Sequence, residues 1–302
     1  MNINGKWARS EMKDELEDMG QESKSYESRN MESALESAPR LAASSYLNTA
    51  PLIWSFIHGS RRGQVQLLTD TAPSRCALML ARDEVLAALV PVIEYQRMSE
   101  VLAVPGVCVG SRERVRSVVL VTRGLALEDV RRVALSIESR TSVALVEVIF
   151  REFLGLEPEL KSYAPDLSMM LRENDAALII GDPAMVFPRE GLRVYDMASL
   201  WRELTGLGFV FAMWMAREAA AERVLAVDFA GARDEGLEHV DEIARLYEGE
   251  LGLPRGELRE YLLENISFTL DEEMRAGLDL FYRLAHKHGI IPALRPLKML
   301  EG

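Results

Sequence analysis

Cysteine is scarce in this chain, which has only Cys76 and Cys108 among 302 residues. The two lie far apart and do not form a CxxC pair, so neither a disulfide framework nor a zinc cluster is indicated. So few thiols are typical of a reducing compartment. The histidines complete no metal-ligand pattern, because His286 and His288 are two positions apart and would face different sides of a helix. We predict no metal and no cofactor.

Blocks of positive charge are also absent. The chain has 35 Lys and Arg against 47 Asp and Glu, a formal net charge of −12, and its basic residues do not cluster. This argues against nucleic acid as a partner. It does not exclude a small anionic ligand, because backbone N–H groups can bind an anion inside an acidic protein.

Long uncharged apolar runs are missing, which argues against a membrane-spanning segment. Residues 1–38 are polar and rich in Glu, Ser and Met, and they lack the apolar core of a secretory signal peptide. We expect residues 1–38 to be a disordered extension; the alternative is a start codon chosen too early, with Met31 as another start. The sequence therefore predicts a cytoplasmic protein. It gives no indication of an oligomeric state.

The common nucleotide-binding motifs, GxGxxG and GxxxxGK[ST], do not occur in the chain. What the chain does have is apolar material, at 48% of its residues. That is enough for one large domain or two medium-sized ones.

From residue 40, short apolar segments alternate with segments of helical periodicity. The segments predicted to be strands include RLAAS (40–44), VQLLTD (65–70), SVVLVTR (117–123), RRVALSIE (131–138) and AALIIGD (176–182). After about residue 216 the pattern becomes helical. Such alternation predicts an α/β fold built around a mostly parallel sheet.

Polar residues stand directly after several of these strands. They are Asn48 and Thr49 after RLAAS, Glu94 after LAALV, the SRTS stretch (139–142) after RRVALSIE, and Asp182 after AALIIG. Parallel sheets bind ligands at the carboxyl ends of their strands. We therefore expect these residues to lie near a ligand site.

Two of these junctions also have an ordinary structural interpretation. Asn48 or Thr49 would serve as the N-cap of a helix with Pro51 in its first turn, a role worth about 1 kcal/mol. The SRTS stretch would cap a second helix. Alternatively, its three hydroxyls and the free N–H groups of that helix would receive a carboxylate. Spacing alone favours the cap at Asn48 and is even between the two roles at SRTS.

A set of segments along the chain resembles one enzyme family. SSYLNTAPL, LVPVIEY, VRSVVLV, ALSIESRTSVALVEVIF, AALIIGDPAM and WRELTGLGFVFAMWMA occur in this order. In order and spacing they are similar to the chorismate dehydratase family, which opens the futalosine route to menaquinone. The resemblance spans roughly residues 40 to 290.

The resemblance implies a two-lobed, periplasmic-binding-protein-like (type II) α/β fold with the ligand cleft between the lobes. Lobe 1 would comprise residues 39–121 and 213–302, with the helical C-terminal part packed on it, and lobe 2 would comprise residues 122–212. The implied activity is that of a carbon–oxygen lyase that needs no cofactor. It would remove water from its small-molecule partner, chorismate, to give 3-[(1-carboxyvinyl)oxy]benzoate.

The resemblance also implies roles for individual residues. Asn48 and Ser117 would be catalytic, and the substrate-binding residues would be Tyr46, Thr49, Glu94, Ser139, Arg140, Thr141, Ser142 and Asp182. Family members commonly carry a small hydroxyl residue near the position of Val92, so the valine argues against a ligand contact there.

The residues themselves leave two of these roles open. Glu94 is equally suited to act as a general base, as a positioning group or as a hydrogen-bond acceptor behind the site. Asp182 precedes Pro183 and is more typical of a turn or a helix cap. The predicted cleft is poor in titratable residues, which fits a mechanism in which the enolpyruvyl carboxylate of chorismate takes the proton itself.

Two other functions share the implied fold. A 1,4-dihydroxy-6-naphthoate synthase of the same pathway would have a threonine-rich loop in place of SRTS. A non-catalytic receptor for small anions would need a signal peptide or a lipoprotein cysteine, and residues 1–38 offer neither. Both are therefore less favoured than the dehydratase.

Overall fold

The computed structural model describes residues 38–70 and 72–301. The extension predicted to be disordered, residues 1–38, lies outside this part of the chain apart from Ala38. Within the described ranges no helix is both long enough and apolar enough to cross a membrane.

Ten β-strands within the described residues form two five-stranded sheets. They are β1 Arg40–Ser44, β2 Gln66–Asp70, β3 Ala87–Pro91, β4 Val101–Ser111, β5 Val118–Thr122, β6 Arg132–Ser136, β7 Glu159–Tyr163, β8 Ala176–Ile180, β9 Arg193–Asp196 and β10 Phe209–Arg217. The order is β2-β1-β3-β10-β4 in the first sheet and β7-β6-β8-β5-β9 in the second. Strands β3, β5 and β8 are buried along their whole length. That is why they read as continuous apolar runs.

Helices cover both sheets. They are α1 Ala50–Ile57, α2 Pro73–Ala81, α3 Ile93–Arg97, α4 Thr141–Val148, α5 Leu167–Glu173, α6 Pro183–Val186, α7 Met197–Thr205, α8 Ala221–Leu225, α9 Phe229–Glu238, α10 Val240–Leu251, α11 Arg255–Glu260 and α12 Glu272–Lys287. Two π-helical turns, Ile149–Phe153 and Tyr261–Asn265, extend α4 and α11. The helical tail, residues 218–301, packs on the first sheet through α9 and α12.

The prediction of a mostly parallel sheet holds for four of the five strands in each sheet, which point the same way, and fails at β10 and β5. In the first sheet, β1, β2 and β3 are parallel to one another, and β10 runs antiparallel to its neighbours β3 and β4. In the second sheet, β6, β7 and β8 are parallel to one another, and β5 runs antiparallel to its neighbours β8 and β9. Strand β5 is the first strand of the second sheet along the chain, and β10 is the strand with which the chain returns to the first sheet. Each runs in the opposite direction to the two strands beside it. A buried strand is apolar in either direction, so the sequence pattern does not distinguish the two.

The sequence also gave no prediction for β4, β7 and β9. In β4, Pro105 and Gly106 interrupt the apolar run and look like a turn. Strands β7 and β9 are the edges of the second sheet and are largely polar. Edge strands lack the apolar alternation that marks a half-buried strand.

The chain passes between the sheets at two places, after β4 and after β9. The lobe boundaries expected from the sequence, after residues 121 and 212, fall inside β5 and β10. We propose that each lobe is instead built on one sheet. The boundaries would then lie within residues 112–117 and 197–208, where the chain leaves one sheet for the other.

Close packing of α9 against α1 fixes the helix that follows the YLNT segment. Gly236 of α9 lies so near the backbone of Pro51 that a methyl group would overlap its carbonyl oxygen. Gly249 of α10 is also inside a helix, but it faces open space. The two glycines therefore separate the effect of packing from the effect of helix propensity.

We predict that Gly236→Ala destabilises the protein by about 1–3 kcal/mol, the usual cost of overpacking. Gly249→Ala should stabilise it by about 0.5–1 kcal/mol, because alanine loses less backbone freedom in a helix. Urea denaturation of both variants beside the unsubstituted protein measures the two effects. Changes of the same sign would contradict the packing described for α9.

Candidate active site

A cavity lies between the two sheets, at the carboxyl ends of β1, β3, β6 and β8. It holds about 520 Å³ of empty space, counting the part open to solvent. Seven of the predicted site residues line it: Tyr46, Asn48, Thr49, Ser139, Arg140, Thr141 and Ser142. The structure therefore brings the YLNT and SRTS segments, which are remote in sequence, to one place.

Most of the remaining wall is apolar and was not predicted. It includes Leu89, Val109, Val118, Ile180 and Phe211. An apolar residue at a strand end has the same pattern whether it packs in the core or faces a ligand. The sequence therefore contained no signal for this part of the site.

The first loop, residues 45–49, joins β1 to α1 through a short 3-10 helix. The hydroxyl oxygens of Ser44 and Thr49 are 2.7 Å apart and hold the two ends of the loop together. Neither Asn48 nor Thr49 makes a side-chain cap to a helix N–H group, so the cap interpretation is wrong. The Asn48 side chain instead lies close enough to the Tyr261 hydroxyl to act on its pKa.

The second loop, residues 137–140, leads into α4, which begins at Thr141. No side chain caps this helix, so the SRTS hydroxyls are not used for capping. The first N–H groups of a helix have no acceptor inside it and form the positive end of its dipole. Because Thr141 and Ser142 line the cavity, this end of α4 can receive an anion.

Arg140 is the only charged side chain among the described residues that line the cavity. Its Nη1 atom is 2.7 Å from Glu94 Oε2, and Glu94 Oε1 is 3.0 Å from Arg97. Glu94 is 4% exposed and is not part of the lining. The carboxylate therefore faces two arginines rather than a ligand. This geometry favours the positioning role for Glu94 over the role of general base.

Further hydrogen bonds join the first loop to the side of the second sheet. The Tyr46 O–H donates to Glu138 Oε2 at 2.8 Å, and the Leu47 N–H donates to Asp182 Oδ1 at 2.9 Å. Gly181 has a φ of 69° and packs so closely on the ring of Tyr46 that any side chain there would overlap it. These contacts join the two sides of the cavity. Asp182 takes part in them and does not line the cavity.

Ser117 is fully buried just before β5, and it is not part of the lining, although its neighbour Val118 is. Its hydroxyl oxygen accepts a hydrogen bond of 2.7 Å from the Tyr261 O–H, 144 positions further along the chain. Tyr261 was not predicted, because no local pattern distinguishes it from other buried aromatic residues of the helical tail.

Within the described ranges, no group of three or more His, Cys, Asp or Glu side chains could hold a metal ion. Cys76 and Cys108 are free and buried. Burial raises the pKa of each thiol to about 12, so neither is present as the reactive thiolate at neutral pH.

Comparison with known proteins gives the family. The family model described as menaquinone biosynthesis matches residues 39–287. The chain belongs to that family. It is similar to a chorismate dehydratase of Thermus thermophilus, with 32% identity over 255 residues that cover 78% of this chain and 91% of the relative.

Solved structures show the same fold at low sequence identity. The protein AF1704 of Archaeoglobus fulgidus superposes with a TM-score of 0.70 at 18% identity, over 84% of this chain and 98% of that one. The periplasmic aliphatic sulphonate binding protein SsuA of Escherichia coli superposes with a TM-score of 0.58 at 17% identity, over 88% and 94%. The chain thus has the predicted periplasmic-binding-protein-like, two-lobed fold.

Burial gives Asp182 a pH-dependent effect on stability. It raises the pKa of this carboxyl to about 7, and the hydrogen bond from the Leu47 N–H offsets the rise only in part. An Asp in an unfolded chain has a pKa of about 3.9. Between these values the folded state binds more protons than the unfolded state, so the contribution of Asp182 to stability falls as the pH rises through this window.

We predict that Asp182→Asn is more stable than the unsubstituted protein at pH 8. The amide oxygen keeps the acceptor for Leu47 without burying a charge. The difference should narrow as the pH falls towards about 4. Thermal melts across this range measure it, with Asp166→Asn, the same exchange at an exposed helix cap, as the control. A variant that is less stable at pH 8 would contradict the assignment.

Proposed function

We propose that this protein is a chorismate dehydratase, a carbon–oxygen lyase of menaquinone biosynthesis through futalosine. The observation that carries the proposal is the cavity in which the YLNT loop meets the N-terminus of α4 and Arg140. Membership of the menaquinone biosynthesis family and the 32% identity to a chorismate dehydratase support it. The enzyme would act in the cytoplasm on a small molecule.

The cavity has the features that chorismate requires. The ring of chorismate is a cyclohexadiene, and the mostly apolar wall of the cavity suits its carbon atoms. The ligand also carries two carboxylates, one on the ring and one on the enolpyruvyl group. Arg140 and the N-terminus of α4 are groups of the right charge for a carboxylate, with the SRTS hydroxyls as further donors.

The reaction needs a site that stabilises developing negative charge. The hydrogen on C3 is vinylogous to the ring carboxylate, so its removal moves charge onto that group as a dienolate. The C3–C4 double bond then forms as the C4 hydroxyl leaves, and the ring becomes aromatic. Fixed N–H and O–H donors around the ring carboxylate lower the barrier by stabilising this charge.

The protein's own carboxylates near the cavity are already engaged. Glu94 pairs with Arg140 and Arg97, Glu138 accepts from Tyr46, and Asp182 accepts from Leu47. The enolpyruvyl carboxylate of chorismate lies close to C3 and takes its proton in our proposal. The proton from C3 and the hydroxide from C4 together make the water that is released.

In our proposal Asn48 and Ser117 are the catalytic residues, which contact the leaving hydroxyl or the developing dienolate. Asn48 lines the cavity and can donate an amide N–H to the leaving hydroxyl. Ser117 lies beside the lining residue Val118 and is linked to Asn48 through Tyr261. The hydrogen bonds of Tyr46 with Glu138 and of Leu47 with Asp182 would keep bulk water from the dienolate.

The direct test is to incubate the purified protein with chorismate and follow the products by mass spectrometry. We expect chorismate to be lost and 3-[(1-carboxyvinyl)oxy]benzoate, lighter by one water, to accumulate at a rate proportional to the amount of protein. If chorismate binds but no product forms, the chain is a receptor and the proposal fails.

Asn48→Ala and Ser117→Ala should each lower the rate of dehydration by about 10²–10³, the usual cost of losing one donor from a closed site. Chorismate affinity should change by less than about tenfold, because contacts made in the transition state affect the rate and not ground-state binding. Single-turnover kinetics and equilibrium binding separate the two effects.

Ser111→Ala is the matched control for these variants. Ser111 is as buried as Ser117, but its hydroxyl has no hydrogen-bond partner and is not part of the cavity. Its rate should equal that of the unsubstituted protein. Normal rates in folded Asn48→Ala and Ser117→Ala would remove both residues from the catalytic assignment.

A further inference from the structure

Tyr261 places a buried hydroxyl between the two residues assigned to catalysis. Its ring is fully buried, and its O–H lies 2.7 Å from Ser117 Oγ. The Asn48 side chain lies beside the same hydroxyl and acts to lower its pKa, as a hydrogen-bond donor does. Asn48 comes from the first sheet's loop, Ser117 from the passage between the sheets and Tyr261 from the helical tail. One side chain thus connects three separate parts of the chain.

The donors and acceptors in this set have a defined direction. Burial holds the pKa of Tyr261 above its usual range, so the phenol stays protonated. Its O–H group donates a hydrogen bond to the Ser117 hydroxyl oxygen. A phenol oxygen that donates can still accept, and the amide N–H of Asn48 supplies the matching donor. Because the Ser117 oxygen already accepts from Tyr261, its own proton must point elsewhere. Hydrogen bonds in such a chain polarise and strengthen one another.

The backbone of Ser117 is fixed on both sides. Its N–H donates to the Val115 carbonyl at 2.7 Å, and its C=O accepts from the Gly181 N–H at 2.7 Å. These bonds fix the backbone of Ser117, but its side chain can still rotate. The hydrogen bond from Tyr261 selects one position for it.

The segment that carries Tyr261 is attached to the same passage by a second contact. Glu257, one helical turn before Tyr261, pairs with Arg116, the neighbour of Ser117. Arg116 has a φ of 60°, a conformation that non-glycine residues seldom adopt and that persists only where surrounding contacts hold it. Tyr261 itself begins a π-helical turn, a distortion that is frequent at functional sites.

We propose that Tyr261 is a positioning residue of the dehydratase, which orients the Ser117 hydroxyl and the Asn48 amide towards the reacting atoms of chorismate. The inference rests on the proposed function. Tyr261 lies one hydrogen bond behind Ser117, so in this proposal it acts through its partners and not on the substrate. Its removal should therefore affect turnover and leave most of the substrate affinity intact.

The first test is Tyr261→Phe, which keeps the ring and deletes the hydroxyl. We expect kcat to fall on the order of 10- to 100-fold, because a misplaced donor loses much of its effect, with KM changed less than about threefold. Tyr282→Phe is the matched control. Tyr282 is 1% exposed and donates a 2.7 Å hydrogen bond to the Val92 carbonyl, outside this set. It should lose a similar amount of stability in a thermal melt and keep its kcat.

The second test repeats Tyr261→Phe in the Ser117→Ala background. Because the tyrosine acts in part through the serine, it should lower kcat there by a smaller factor than in the unsubstituted protein, since groups that act as a unit are not additive. An unchanged kcat in the single variant, an equal loss in Tyr282→Phe, or full additivity with Ser117→Ala would each overturn the positioning role. The unsubstituted protein is assayed in parallel. Its failure to convert chorismate would instead overturn the proposed function, and this inference with it.

Discussion

The two halves of the site come from different sheets, so the site exists only where contacts hold the sheets together. The loop after β1 brings Asn48, and the end of β6 brings Arg140 and the start of α4. The contacts that join them include Tyr46 to Glu138, Leu47 to Asp182, Ile93 to Thr141, and Glu94 to Arg140. The cavity is therefore assembled by contacts between the sheets and is not a preformed pocket on one lobe.

The same contacts explain how an acidic protein can accept a dianion. Unpaired carboxylates beside the cavity would repel chorismate and would be costly to bury. Each nearby carboxylate instead has a donor: two arginines for Glu94, a phenol for Glu138 and a backbone N–H for Asp182. Arg140 belongs to this arrangement as well as to the cavity. The net charge of −12 therefore says little about the local field at the site.

The sequence predicted the parts of the site that are local. The α/β alternation and the polar residues after strands located Asn48 and the SRTS stretch, because strand ends are where such a fold binds ligands. The directions of β5 and β10, the apolar cavity wall and the role of Tyr261 could not be predicted. Each depends on contacts between residues far apart in the chain. Glu94 shows the same limit: its position was predicted, but its pairing with Arg140 decides what it can do.

We propose that chorismate binds between the sheets with its C4 hydroxyl towards Asn48. A crystal structure of the Ser117→Ala variant, which we expect to be slow, with chorismate bound would show this directly. We expect the ring to lie against the apolar wall, and a carboxylate to lie within hydrogen-bond distance of Arg140 or of the N–H groups of Thr141 and Ser142. The C4 hydroxyl should lie within reach of the Asn48 amide. Chorismate bound outside this cavity, or with its C4 hydroxyl turned away from Asn48, would contradict the claim.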